Sequence, residues 1–201
     1  MRIRAFLLAI TLGITLLLSG CWIPENFEAN ITVNNNGSYT FTYDGILTFA
    51  LALAAAKEGS LSNKDEAALE KEVEKIRKEP GFKKVEYMGK GRYKVFVEKS
   101  GKAGEPYYFL SSHISEIFAI KPQQDGTIKI TAARFSNKDL NKLRSIGANV
   151  NGTLAVSIEK GVKVLEHNAQ SEPKMFGLFG AYEWEIKSID ARPFIVVQPS
   201  S

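Results

Sequence analysis

Residues Ala5 to Leu18 form a charge-free apolar run behind Arg2 and Arg4, and the run stops at Ser19, Gly20 and Cys21, the only cysteine in the chain. That segment sets the conditions under which everything after it folds. A helix needs about 20 predominantly apolar residues to cross a hydrocarbon core, and this run falls short. A positive start, an apolar middle and small residues at the end are the layout of an export signal. Once Cys21 is consumed, no thiol remains for a disulfide, a thiolate metal site or a cysteine nucleophile, so stability must come from packing.

Leu18-Ser19-Gly20-Cys21 resembles the lipobox of bacterial lipoproteins, a large apolar residue and two small ones before cysteine. The resemblance implies that the Cys21 thiol carries diacylglycerol, that the lipoprotein signal peptidase cuts between Gly20 and Cys21, and that the new amino group is often acylated as well. Cys21 is then an anchor for fatty acyl chains such as palmitate, not a catalyst. Each buried methylene contributes about 0.8 kcal/mol, so one chain holds marginally while two or three hold almost permanently. Trp22 follows the cysteine where enteric-type sorting reads aspartate as a retention signal. The resemblance therefore points to the outer membrane facing the periplasm, in a cell with two membranes. Processing and sorting machinery are implied as partners.

Losing residues 1–20 takes Arg2 and Arg4 from the 26 basic side chains, which leaves 24 against 22 acidic ones, a balance of +2 on the remaining 181 of 201 residues. So small a charge gives no reason to expect nucleic acid as a partner, or capture by anionic lipid. The expected organisation is a lipoprotein signal peptide over 1–20, the lipidated cysteine and a short tether over 21–26, and a single α+β extracytoplasmic (periplasmic) domain over 27–198. The Asn-x-Ser/Thr triplets at Asn30, Asn36 and Asn151 read as turn chemistry.

Phe27 to Val33 and Tyr39 to Tyr43 alternate around Asn34 to Gly37, which predicts a β-hairpin with an Asn-Gly turn. Ile46 to Ala56 is rich in alanine and leucine and predicts a helix, ended by Lys57, Glu58 and Gly59, that also fits the start of a continued strand. Two readings of it stay open: a helix packed on the sheet, or one dipping into a membrane. Ser62 or Asn63 caps a charged helix over Lys64 to Lys78, with Leu69, Val73 and Ile76 on one face and Pro80-Gly81 as its stop. Lys84 to Met88 and Arg92 to Glu98 predict strands joined through Gly89-Lys90-Gly91. Pro106 to Leu110 is strand-like, and Phe118 to Lys121 with Thr127 to Ala132 predicts a hairpin across Asp125-Gly126. A short helix is expected over Asn137 to Ile146, followed by strands at Thr153 to Ile158, Val162 to His167, Tyr182 to Ile186 and Phe194 to Val197. The fold class expected is α+β, a mainly antiparallel β-sheet built from hairpins with two or three helices packed on one face.

The residues for catalysis are sparse. His113 and His167 are the only histidines, and no Gly-x-Ser-x-Gly elbow accompanies them, which argues against a serine hydrolase. Ser111-Ser112-His113-Ile114-Ser115 fits a polar loop better than a triad, and His167 reads as a strand-end residue. Neither a metal nor another cofactor is implied, because no histidine pair, calcium loop or phosphate loop is present. Pro173 to Tyr182 stands out, with Met175, Phe176, Leu178 and Phe179 set between glycines before a strand. It reads either as a core-packed connection or as an apolar lip contacting a ligand, a partner or a membrane.

The hairpin from Ile31-Thr32-Val33 through Gly37 to Tyr43 and the late Trp184-Glu185-Ile186 strand resemble the LppM-type lipoprotein domain family. That resemblance implies an α+β envelope domain without catalytic residues that accommodates a lipid or other apolar ligand between helices and sheet. The reading reached is a non-enzymatic membrane-anchored lipoprotein binding an apolar ligand or an envelope protein. The alternative is an envelope hydrolase whose carboxylates, scattered in sequence, gather in space.

Overall fold

The structure, a computed structural model, describes residues 22–110, 117–132, 141, 143–174, 180–188 and 190–200. The first hairpin forms as its alternation requires, but its strands are longer, β1 (Trp22–Val33) and β2 (Tyr39–Phe49), paired from Trp22 opposite Phe49 to Val33 opposite Tyr39. Its turn is closed by the Asn34 N–H donating to the Ser38 carbonyl (2.9 Å) and the Ser38 N–H donating to Asn36 Oδ1 (2.9 Å), with Gly37 at φ +80°. That left-handed position is the one glycine fills without strain. Asn30 lies in mid-strand rather than in a turn. Residues 22–26, expected as a tether, are the first five residues of β1. The alternation fails there because Asn26 and Phe27 together face Gly45 in a β-bulge, with Asn26 at φ +46°.

Glycine is required at position 45. A Cβ there would sit 2.5 Å from the Phe27 Cβ and 2.8 Å from its Cα. Two asparagines hold the bulge: the Asn26 N–H donates to Asn151 Oδ1 (3.1 Å), and Asn151 Nδ2 donates to Asn26 Oδ1 (2.5 Å).

β2 runs on to Phe49 before α1 (Ala50–Lys57) begins, so the alanine-rich stretch is strand first and helix second. Ala50, Ala52 and Leu53 of α1 are buried in the domain's apolar clusters, as a helix packed on the sheet requires. The charged helix is broken in two, α2 (Asn63–Lys71) and α3 (Val73–Ile76). Ser62 and Asp65 form a reciprocal capping box at the start of α2. β3 (Phe82–Gly89) and β4 (Arg92–Gly101) complete one side, followed by β5 (Tyr107–Phe109), β6 (Phe118–Pro122), β7 (Ile128–Ala132), β8 (Gly152–Ile158), β9 (Lys163–His167), β10 (Tyr182–Ile186) and β11 (Phe194–Gln198). Of the helix expected over Asn137 to Ile146, residue 141 and residues 143–145 are helical, while residues 137–140 and 142 lie outside the described residues.

The α+β class holds, with eleven strands that are mostly antiparallel and three named helices among the described residues. The strands make two sheets rather than one, ordered β10-β8-β1-β2-β4-β3 and β5-β6-β7-β11-β9. The β1 to β8 pairing is parallel. A second sheet is needed because the inward face of β2 carries Tyr39, Phe41 and Tyr43, more apolar surface than three short helices cover. β5 and β6 supply the cover: Phe41 meets Phe109 at 5.0 Å between ring centres, Tyr43 meets Phe109 at 4.9 Å, and Phe27 meets Phe118 at 5.7 Å. Each such ring pair adds about 0.5–1.5 kcal/mol beyond the burial itself. The two sheets share one core with Ile120, Ile130, Ile195 and Val197.

Candidate functional site

Cys21 and Gly20, the expected lipidation and cleavage residues, lie outside the described residues, and so do Met175, Phe176, Leu178 and Phe179 and the Ser111 to Ser115 segment with His113. The structure positions their neighbours. Trp22, bonded to Cys21, is fixed in β1 opposite Phe49, with its ring 5.7 Å from Phe49 and 5.6 Å from Tyr93. Position 21 is therefore one peptide bond from the first residue of the sheet.

At the other candidate, the described residues on either side of 175–179 lie together and form its base. A Cβ on Gly180 would lie 3.6 Å from the Pro173 Cα. Ser171 and Glu183 exchange backbone hydrogen bonds (3.0 and 3.3 Å), which ties this base to β10, an edge of the larger sheet. His167 ends β9 beside this base. Its Nδ1 accepts from the Ala169 N–H (3.1 Å), its ring meets the Tyr182 ring at 4.8 Å, and Glu172 lies 3.7 Å from its Nε2. Those contacts give it a local structural role. Trp184 is buried, as its strand pattern predicts, and its indole N–H donates to Asn168 Oδ1 (2.8 Å).

One polar constellation was not legible in the sequence. Glu25 is 6 % exposed, and Arg92 Nε donates to one of its carboxylate oxygens at 3.0 Å while the other oxygen has no partner. Thr48, 0 % exposed, also has an unpartnered hydroxyl. Strand register puts Thr48 opposite Arg92, and Glu25 two residues along β1 from the residue facing Thr48, so all three share one face near the Trp22 end. An extended reading of Trp22 to Asn26 is the signal that finds Glu25, because only as a strand does that segment place a carboxylate within reach of β4 across β2.

No family model matches the chain, and no curated protein matches it. Among solved structures it is similar to the folded domain of LppM from Mycobacterium tuberculosis, determined by NMR. The match has a TM-score of 0.40 and 11% identity and covers 91% of this chain and 93% of that one. A likeness at that level assigns neither a family nor an activity.

Glu25 is the one buried acid among the described residues and is bound to a guanidinium. No group of three or more His, Cys, Asp or Glu side chains is gathered to hold a metal among the described residues. No helix among them is long and apolar enough to cross a membrane.

Proposed function

We propose that the chain is a membrane-anchored envelope lipoprotein, held by acyl chains on Cys21, whose domain binds an apolar ligand rather than catalysing a reaction. The observation that carries this reading is Leu18-Ser19-Gly20-Cys21 standing directly before the first sheet residue, Trp22. Two acyl chains hold a protein on a membrane without any spanning helix. Met175, Phe176, Leu178 and Phe179 are the proposed ligand contacts, and the described residues flanking them are fastened to a sheet edge through Ser171 and Glu183. Four large apolar side chains within five residues are of the kind that marks ligand or partner contacts where they are exposed.

Native mass spectrometry on residues 22–201, exported without the anchor and purified gently, tests the ligand. The expected result is a stoichiometric added mass that disappears on organic extraction. A clean apo mass would move the role from lipid binding to an envelope protein partner.

A further inference from the structure

The end of the larger sheet that carries Trp22 has a composition of its own. Trp22 pairs with Phe49, and the Phe49 N–H donates to the Gly91 carbonyl (2.8 Å), so the start of β1, the start of α1 and the β3–β4 turn lie at one level. Leu51, in the first turn of α1, is 60 % exposed, and Met88, beside the β3–β4 turn, is 55 % exposed. Leu165, on β9 of the smaller sheet, is 54 % exposed too, and a singly exposed apolar side chain is ordinary; Leu51 and Met88 differ in lying level with Trp22. Tyr108 is exposed as well, with the Lys121 ammonium 5.4 Å from its ring centre.

Charge at this end is nearly balanced. Arg92 is paired with Glu25, and Lys90 and Glu66, joined through the Lys90 backbone N–H at 3.0 Å, carry one charge of each sign. The opposite end of β1 is polar: Asn34 to Ser38 form its turn, the Asn35 N–H donates to Glu159 (2.7 Å), and Ala103 lies against Gly37. Twelve residues of strand at about 3.3 Å each put roughly 35 Å between the two ends.

Covalent geometry fixes the rest. Adjacent Cα atoms are about 3.8 Å apart, and the headgroup layer of each leaflet is roughly 5–8 Å deep. With acyl chains on Cys21 and no tether, the Trp22 end has nowhere to sit but in that layer. We propose that Leu51 and Met88 form a docking surface for the bilayer that holds the anchor, with the sheet standing end-on. This rests on the lipoprotein reading above. Because the charges at this end cancel, docking proceeds through apolar insertion and needs no anionic lipid.

The mature chain has no cysteine besides Cys21, so one introduced thiol takes a single label. Leu51→Cys, Met88→Cys and the distal control Ala103→Cys are prepared as full lipidated protein, carrying an environment-sensitive fluorophore, in phosphatidylcholine vesicles. The expected result is blue-shifted emission at 51 and 88, quenched by lipids with a nitroxide at the headgroup, and neither effect at 103. Adding phosphatidylglycerol should leave the emission unchanged. Acylated protein in which labels at 51 and 88 behave like the label at 103 would overturn the docking surface alone. An intact mass showing Cys21 without acyl chains would overturn the lipoprotein reading, and the docking surface with it.

Discussion

Replacing Arg92 with leucine leaves the Glu25 carboxylate buried without its cation, and the size of the effect follows from the geometry. At 3.0 Å and an effective dielectric constant near 20, the attraction between the charges is about 5.5 kcal/mol. Desolvation offsets much of it, so removing one partner of a buried pair costs about 3–5 kcal/mol. The Arg92 side chain is 31% exposed against 8% for Glu25, and water reaching the site brings the expected loss for Arg92→Leu to about 2–3 kcal/mol. With a urea slope of about 2 kcal/mol per molar, the unfolding midpoint falls by roughly 1–1.5 M. Replacing both residues removes the stranded charge and the unpartnered carboxylate oxygen together, so Glu25→Leu/Arg92→Leu should lie within about 1 kcal/mol of the parent. The assay is urea unfolding of the parent, the two single variants and the double variant, followed by far-ultraviolet circular dichroism. Equal losses in Arg92→Leu and the double variant, with coupling below about 0.5 kcal/mol, would refute the reasoning.

Gly45→Ala forces a Cβ to within 2.8 Å of the Phe27 Cα, which repacking a side chain cannot relieve, and a loss of about 1–3 kcal/mol is expected in the same urea assay. Ser62→Ala removes the α2 cap and should lower stability by about 1 kcal/mol; an unchanged midpoint would show that α2 melts outside the main transition. Burial pushes Tyr39 and Tyr87 up to about 12 and raises Tyr43 well above its ordinary value of 10. A raised folded-state value means that stability is fully present below pH 10 and is lost as pH rises through 12. Tyrosinate absorbance should therefore rise together with unfolding in this window, and ionisation of most tyrosines near pH 10 in an intact fold would contradict the burial.

The hairpins were legible because period-two alternation and turn chemistry are local. Asn34 to Gly37 and Asp125-Gly126 sit where their residue types predict, and Ser62 caps its helix as its sequence signature implies. The N-terminal half of β1 was not legible. Ile23, Pro24 and Glu25 are buried in succession, and the bulge that breaks the alternation depends on Gly45 and Asn151, 18 and 124 residues beyond Phe27. The two-sheet arrangement was hidden for a related reason. From β8 onward the strands alternate between sheets, β8 and β10 in one, β9 and β11 in the other, and no local pattern records such long-range pairing. The Glu25–Arg92 pair, 67 residues apart, exists only because the order β1-β2-β4 brings its strands within reach.

Anchoring at Cys21 is the claim on which the orientation and the proposed role both depend, and intact mass spectrometry of the membrane-extracted protein addresses it directly, with a Cys21→Ser precursor alongside. The account predicts a chain lacking residues 1–20 and carrying the mass of diacylglycerol on Cys21, and a serine variant that no longer fractionates with membranes. An unmodified Cys21, or a Cys21→Ser chain that stays with the membrane, would contradict it.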